Sequence, residues 1–147
     1  MNIARLVAED DAGWHAFRSM VDAVAPDRLE RPGVTPEGWS VKDTMFHVAA
    51  WMADCAWQLE RMRFGTFTDP LESVQGIEEQ NREWFELSRT LDLPTVRTGL
   101  IAAHVRMLQE WASLPAVTTA AWEWFEESGP LHYAAHAKDL RAWLAEG

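Results

Sequence analysis

Apolar residues recur at intervals of three and four along most of the chain, which is the period of amphipathic helices, and no segment alternates convincingly as a strand would. The first helical stretch runs from about Ile3 to Ala25, with Leu6, Val7, Trp14, Phe17, Val21 and Val24 on one face. Pro26 and the Pro- and Gly-containing segment 31–38 end it. A second stretch opens at Ser40, where Ser40 and Asp43 resemble a capping box and Trp39 is placed as a hydrophobic staple. Val41, Met45, Val48, Met52, Cys55, Leu59 and Met62 then form a single stripe up to Gly65.

A crossover over residues 64–76 leads to a third, mostly polar stretch from about Ile77 to Leu91, whose inward seam is Ile77, Asn81, Trp84, Ser88 and Leu91. The fourth runs from Pro94 to Ser113, with Leu100, Ala103, Met107, Leu108 and Trp111 toward the core. Residues 114–128 read as a second connector, with Pro115 and the aromatic cluster Trp122, Trp124 and Phe125. Pro130, at a first helical turn where a missing N–H costs nothing, then opens a last helix reaching about Glu146. The expected fold class is all-α: a single domain, residues 1–147, built as a four-helix bundle with the third helix in its crossover.

Composition narrows the function. The formal charge of −10, from 23 acidic and 13 basic residues, repels a phosphate backbone, so nucleic acid is not an expected partner. No apolar run is long enough to span a membrane, and the acidic segment Glu9-Asp10-Asp11 interrupts any secretory signal. A single cysteine, Cys55, forms no internal disulfide and no thiolate cage, which fits the cytoplasm. Nine tryptophans imply a well-filled interior and an aromatic lining to some pocket or interface.

The candidate chemistry lies in three histidines. His132 and His136 are one turn apart and fall within about 40° on a helical wheel, with Trp143 between them and Leu140 at their edge. The pair therefore faces the bundle, where an unpartnered buried ring costs about 1–3 kcal/mol, and a shared metal ion would account for both. His47 borders the core of the second helix, about 120° from the centre of its apolar stripe. Three protein ligands leave one coordination position open, as in catalytic metal sites. His47 and the pair both stand near the beginning of their helices, so the rings reach one level if those helices run parallel. An up-down-down-up order is expected to achieve this. The plain alternative is a partly wet histidine pair facing solvent, against which the apolar face argues. Tyr133 replaces the glutamate of a zinc-protease HExxH motif, and His15 and His104 read as surface or hydrogen-bonded residues.

The segment from Gly38-Trp39-Ser40 through Asp43 and His47 to Trp51 resembles the entry to the second helix of the DinB-like superfamily. It is similar in particular to the N-terminal domain of mycothiol-dependent maleylpyruvate isomerases. The tail from Glu123-Trp124-Phe125 through His132 and His136 to Trp143 resembles the last helix of small members of that group. The resemblance implies an up-down-down-up bundle and a divalent metal, zinc or nickel, held at His47, His132 and His136. It also implies a transferase or isomerase that uses a low-molecular-weight thiol such as mycothiol or bacillithiol on a small-molecule substrate, and a homodimer. His132 stands where the isomerases carry glutamate, and their added C-terminal domain has no counterpart in this chain, so maleylpyruvate itself is not the expected substrate.

Around the triad, Asn81 is a candidate for substrate contact, Tyr133 for donating to a ligand, and Trp51, Trp84 and Trp143 for pocket walls, each with core packing as its plainer role. Asp43 and Asp139, one turn from His47 and His136, are candidates for orienting the rings, although a helix start and a solvated face explain them equally well. Arg97 and Arg106 offer charge to an anionic substrate but read more simply as exposed. The competing function is a non-catalytic binding or self-protection protein that sequesters a small molecule.

Overall fold

A computed structural model describes residues 1–70 and 73–147. These contain six α-helices, α1 (Ile3–Asp22), α2 (Val41–Arg63), α3 (Val74–Ser88), α4 (Leu93–Ala112), α5 (Thr119–Ser128) and α6 (Pro130–Ala145), with a 3₁₀ turn at Pro26–Arg28. No described residue lies in a strand, and no helix is long and apolar enough to cross a membrane.

Contacts between helix ends set the topology, a four-helix bundle in up-down-down-up order. At the start of α2, the Lys42 ammonium donates to the Leu91 carbonyl just ahead of α4 at 2.8 Å, and at the other end Arg63 pairs with Glu110 at 3.0 Å. The second and third limbs, α2 and α4, are therefore parallel and packed together, and α3, which packs on α2, is the crossover helix that returns the chain. Gly13 of α1 abuts Tyr133 of α6, while Arg28 beyond α1 lies 4.3 Å over the Trp143 ring, so α1 and α6 are also parallel. The fourth limb is α5 and α6 in succession.

The core follows the stripe expected for α2: Val41, Met45, Val48, Met52, Cys55 and Leu59 are all fully buried. They meet Phe17, Leu100, Met107, Phe125, Tyr133 and Leu140, each at most 1% exposed, and burial of a large side chain contributes about 1.5–3 kcal/mol. Both halves of the Ser40–Asp43 capping box form. A buried polar link crosses the core from Asp10 of α1 to His104 of α4 at 3.0 Å, with Trp14 stacked on the imidazole at 3.9 Å.

Two segments differ from the sequence reading. The third helix begins at Val74, because the Ser73 hydroxyl accepts from the Gly76 N–H and turns that glycine into helix. The segment 114–128 is not only a connector: Thr118 caps Ala121 at 3.1 Å, and Ala121, Phe125 and Ser128 face inward from α5. Gly129 separates α5 from α6. Its need for glycine is spatial, since a β-carbon there would lie 2.7 Å from Asp10 Oδ1 and 2.9 Å from the Phe125 carbonyl.

Candidate metal centre

The capping box starts α2 so that His47 faces the bundle seven residues into the helix, where it is 8% exposed. Pro130 starts α6 directly after Gly129, which aims His132 and His136 at the same point. The three rings form a nearly equilateral triangle, with centroids 4.7, 4.8 and 4.9 Å apart and planes inclined at 65–77°. Nε2 of His132 lies 2.9 Å from Nε2 of His47 and 3.0 Å from Nε2 of His136.

The histidines meet by a different route from the one their positions in sequence suggested. Their helices are the second and fourth limbs, which an up-down-down-up order makes antiparallel, not parallel: toward the start of α2, Cys55 meets Trp124 of α5, whereas Met52 and His47 meet Tyr133 and His132 of α6. Because α5 occupies the lower part of that limb, the pair sits midway up it, level with the upper part of α2.

The electrostatics keep the rings neutral. Burial, reinforced by the nearby His136, lowers the His47 pKa to about 3. Burial pushes His132 well below the usual histidine range, His136 and His47 add to this, and the Ser128 backbone opposes it. His136 is lowered by burial against the upward pull of Asp139 and Glu37. A neutral imidazole nitrogen has one in-plane position, carrying either a proton or a lone pair. His132 Nε2 faces two other Nε2 atoms at once, so a single hydrogen bond cannot satisfy the triangle. Two nitrogens bound at about 2.0–2.1 Å to one cation stand about 3 Å apart, and this donor set fits a divalent metal. Nδ1 of His47 and Nδ1 of His136 make no hydrogen bond, and Asp139 Oδ2 approaches the latter to 3.6 Å.

The remaining candidates divide. Trp51 donates its indole N–H to Asn81 at 2.9 Å and meets Trp84 edge-on at 5.0 Å. Trp51 lines a cavity of about 400 Å³ that reaches His132. Asn81 lines a second cavity of similar size, bounded also by Trp39 and Glu37. Tyr133 is fully buried and gives its hydroxyl to Met52 Sδ at 3.2 Å, so it packs beneath the centre and lines neither cavity. Trp143 lies under Arg28, Arg106 pairs with Glu60 at 3.4 Å, and Asp43 is held by Ser40 and Ser88. His104 is the buried partner of Asp10, and His15 is exposed. Burial pushes the Cys55 thiol up, which suits a packing role and not a nucleophile.

Several neighbours of the site escaped the sequence reading. Trp39 packs against His47 at 4.7 Å, and Phe67, Asp69, Glu123, Trp124 and Glu127 line the cavity at His132. The α5 residues become visible once Thr118 is read as a cap, since 120, 123, 124 and 127 then share one helix face.

The chain matches no protein-family model and no curated protein. The crystal structure of TT2238, described as a four-helix bundle protein, is similar over 95% of this chain and 98% of that one, with a TM-score of 0.66 and 20% identity. That likeness concerns the fold alone.

Proposed function

We propose that the chain is a divalent-metal-dependent enzyme in which His47, His132 and His136 hold the ion and a small molecule reaches it through the cavity at His132. The observation that carries this reading is the convergence of three neutral Nε2 atoms, two of their separations being 2.9 and 3.0 Å. The resemblance of the helix entry and tail to DinB-like proteins supports zinc or nickel as the metal. It also supports a cytoplasmic, homodimeric transferase or isomerase using a thiol such as mycothiol or bacillithiol. When bound, such a metal supplies Lewis acidity and lowers the pKa of a thiol or water beside it.

The chain's own residues do the rest. Desolvation keeps the imidazoles unprotonated, so their lone pairs remain available at neutral pH. Asp139 favours the His136 tautomer with its proton on Nδ1, which turns the Nε2 lone pair inward. Trp39 restrains the His47 ring, while Trp51 and Trp124 limit water beside His132.

Metal analysis of protein purified without a polyhistidine tag tests the reading. About one equivalent of metal per chain is expected, and His47→Ala should lose it while retaining its helical circular dichroism. A metal-free preparation that binds neither zinc nor nickel by calorimetry would overturn the proposal. Incubation with small electrophiles and mycothiol or bacillithiol, followed by mass spectrometry, separates turnover from sequestration, in which the ligand is recovered unchanged.

A further inference from the structure

The cavity at His132 carries a charge pattern that the histidine centre does not explain. One wall is the face of α5 bearing Glu123, Trp124 and Glu127; Trp51 and Phe67 line it too, together with Asp69. Among the described residues three carboxylates line the cavity, two of them, Glu123 and Glu127, on the α5 face, and no lysine or arginine does. The Trp51 indole N–H is already committed to Asn81, so this residue offers the cavity ring surface and no polar donor. Glu123 and Glu127 are like charges at i and i+4, and Glu127 lies in the last turn of α5, at the negative end of the helix dipole. Both placements disfavour the empty helix and are relieved by a cation. His132 lines the same cavity, so a ligand held here reaches the edge of the histidine centre.

We infer that this cavity binds an organic ammonium compound. Its apolar body lies against Trp51, Phe67 and Trp124, whose ring faces attract cations as the carboxylates do. The ammonium group points toward Glu123, one turn farther from the α5–α6 junction than Glu127, and the opposite end faces His132. The inference rests on the proposed function only for the reaction at the His132 end; the selectivity for positive charge stands on the cavity itself. Anionic groups are disfavoured in this cavity by the same carboxylates.

The test uses the full chain, once with chelator and once loaded with zinc. Three probes share a benzyl body: benzyltrimethylammonium, which has no lone pair and cannot ligate a metal, benzyl alcohol, and phenylacetate. Binding is followed by tryptophan fluorescence and calorimetry. Benzyltrimethylammonium should bind roughly tenfold more tightly than benzyl alcohol in both states, and the preference should shrink with added salt. In the chelated protein phenylacetate should bind most weakly. The double variant Glu123→Gln/Glu127→Gln should lose at least about threefold of the preference while its zinc stoichiometry is unchanged. Equal or tighter binding of the alcohol, no binding of the ammonium probe at millimolar concentration, or full selectivity in the double variant would each overturn the inference. Failure to take up zinc would instead count against the metal reading, and the chelated arm would still decide this one.

Discussion

Nε2 of His47 and Nε2 of His132 lie 2.9 Å apart, although 85 positions separate the residues in the chain. Two buried ring nitrogens at that distance share a proton or a cation. With His136 Nε2 also 3.0 Å from His132, one proton cannot serve all three. The arrangement is stable only while the rings stay neutral, and the responses to metal and to pH follow from that condition.

Zinc should stabilise the folded chain. A ligand at 100 times its dissociation constant adds about 2.7 kcal/mol, and a chain of this size gains about 2–4 °C per kcal/mol. A rise of about 5–10 °C in melting temperature is therefore expected on zinc addition. His132→Ala should abolish the rise, and differential scanning calorimetry of the two proteins with and without zinc measures it.

Without metal, stability should rise with pH across the histidine range. Above about pH 6.5 the rings are neutral in both folded and unfolded chains and the protons make no difference. As pH falls from there toward the folded His47 pKa of about 3, the unfolded chain takes up protons that the folded chain refuses. Stability is thus present above the unfolded pKa and lost below it, by up to about 1.4 kcal/mol per pH unit for each such histidine. His132 and His136, shifted in the same direction, steepen the loss. Urea titrations between about pH 5 and 6.5, where most carboxylates stay ionised, read the slope. His47→Gln, which cannot titrate, should flatten it.

The bundle itself was largely legible in the sequence, and the reasons are local. The α2 stripe from Val41 to Leu59 has an unbroken helical period, and the Ser40–Asp43 box fixes where it starts. The α5 segment was not legible, because Pro115 and three aromatic residues within four positions resemble a packed loop, and its signal is a lone Thr118 cap. That omission carried over to the site. Without α5, His132 and His136 would open the fourth limb, and a parallel arrangement would be needed to bring His47 level with them. With α5 in place the same rings meet across antiparallel helices. The walls of the cavity were hidden for the same reason, since Glu123, Trp124 and Glu127 share a face only as helix.

The Asp10–His104 pair should prove structural and independent of the metal. Asp10 is 1% exposed, and leaving a buried hydrogen-bonding group without its partner costs about 1–3 kcal/mol. Asp10→Ala should lower urea stability by an amount in that range, because it leaves His104 buried against Trp14 without its acceptor. Any of this variant that remains folded should still take up one equivalent of zinc per chain, by the stoichiometry expected of three ligands in one site. Loss of metal from a fully folded Asp10→Ala protein would show instead that the pair helps to set the position of α6.

Gly129 and Gly99 should respond to the same substitution with opposite signs. Alanine in place of glycine inside an exposed helix is worth roughly 0.5–1 kcal/mol, through a less flexible unfolded chain and better helix propensity. Gly99 sits on the exposed side of α4, and a β-carbon added there would have no neighbouring atom within 4 Å, so Gly99→Ala should gain about that much. At Gly129 the added carbon would stand 2.7 Å from Asp10 Oδ1 and 2.9 Å from the Phe125 carbonyl oxygen. Neither can retreat easily: Asp10 is held by His104, and the carbonyl belongs to α5 and accepts the Gly129 N–H at 2.9 Å. Overpacking of this kind costs about 1–3 kcal/mol. The strain would be relieved by displacing the start of α6, two residues before His132, which moves two of the three imidazoles relative to His47. Gly129→Ala should therefore lose both urea stability and zinc affinity. A Gly129→Ala protein as stable as Gly99→Ala, with unchanged zinc affinity by calorimetry, would mean that the α5–α6 junction does not set the position of the histidine pair.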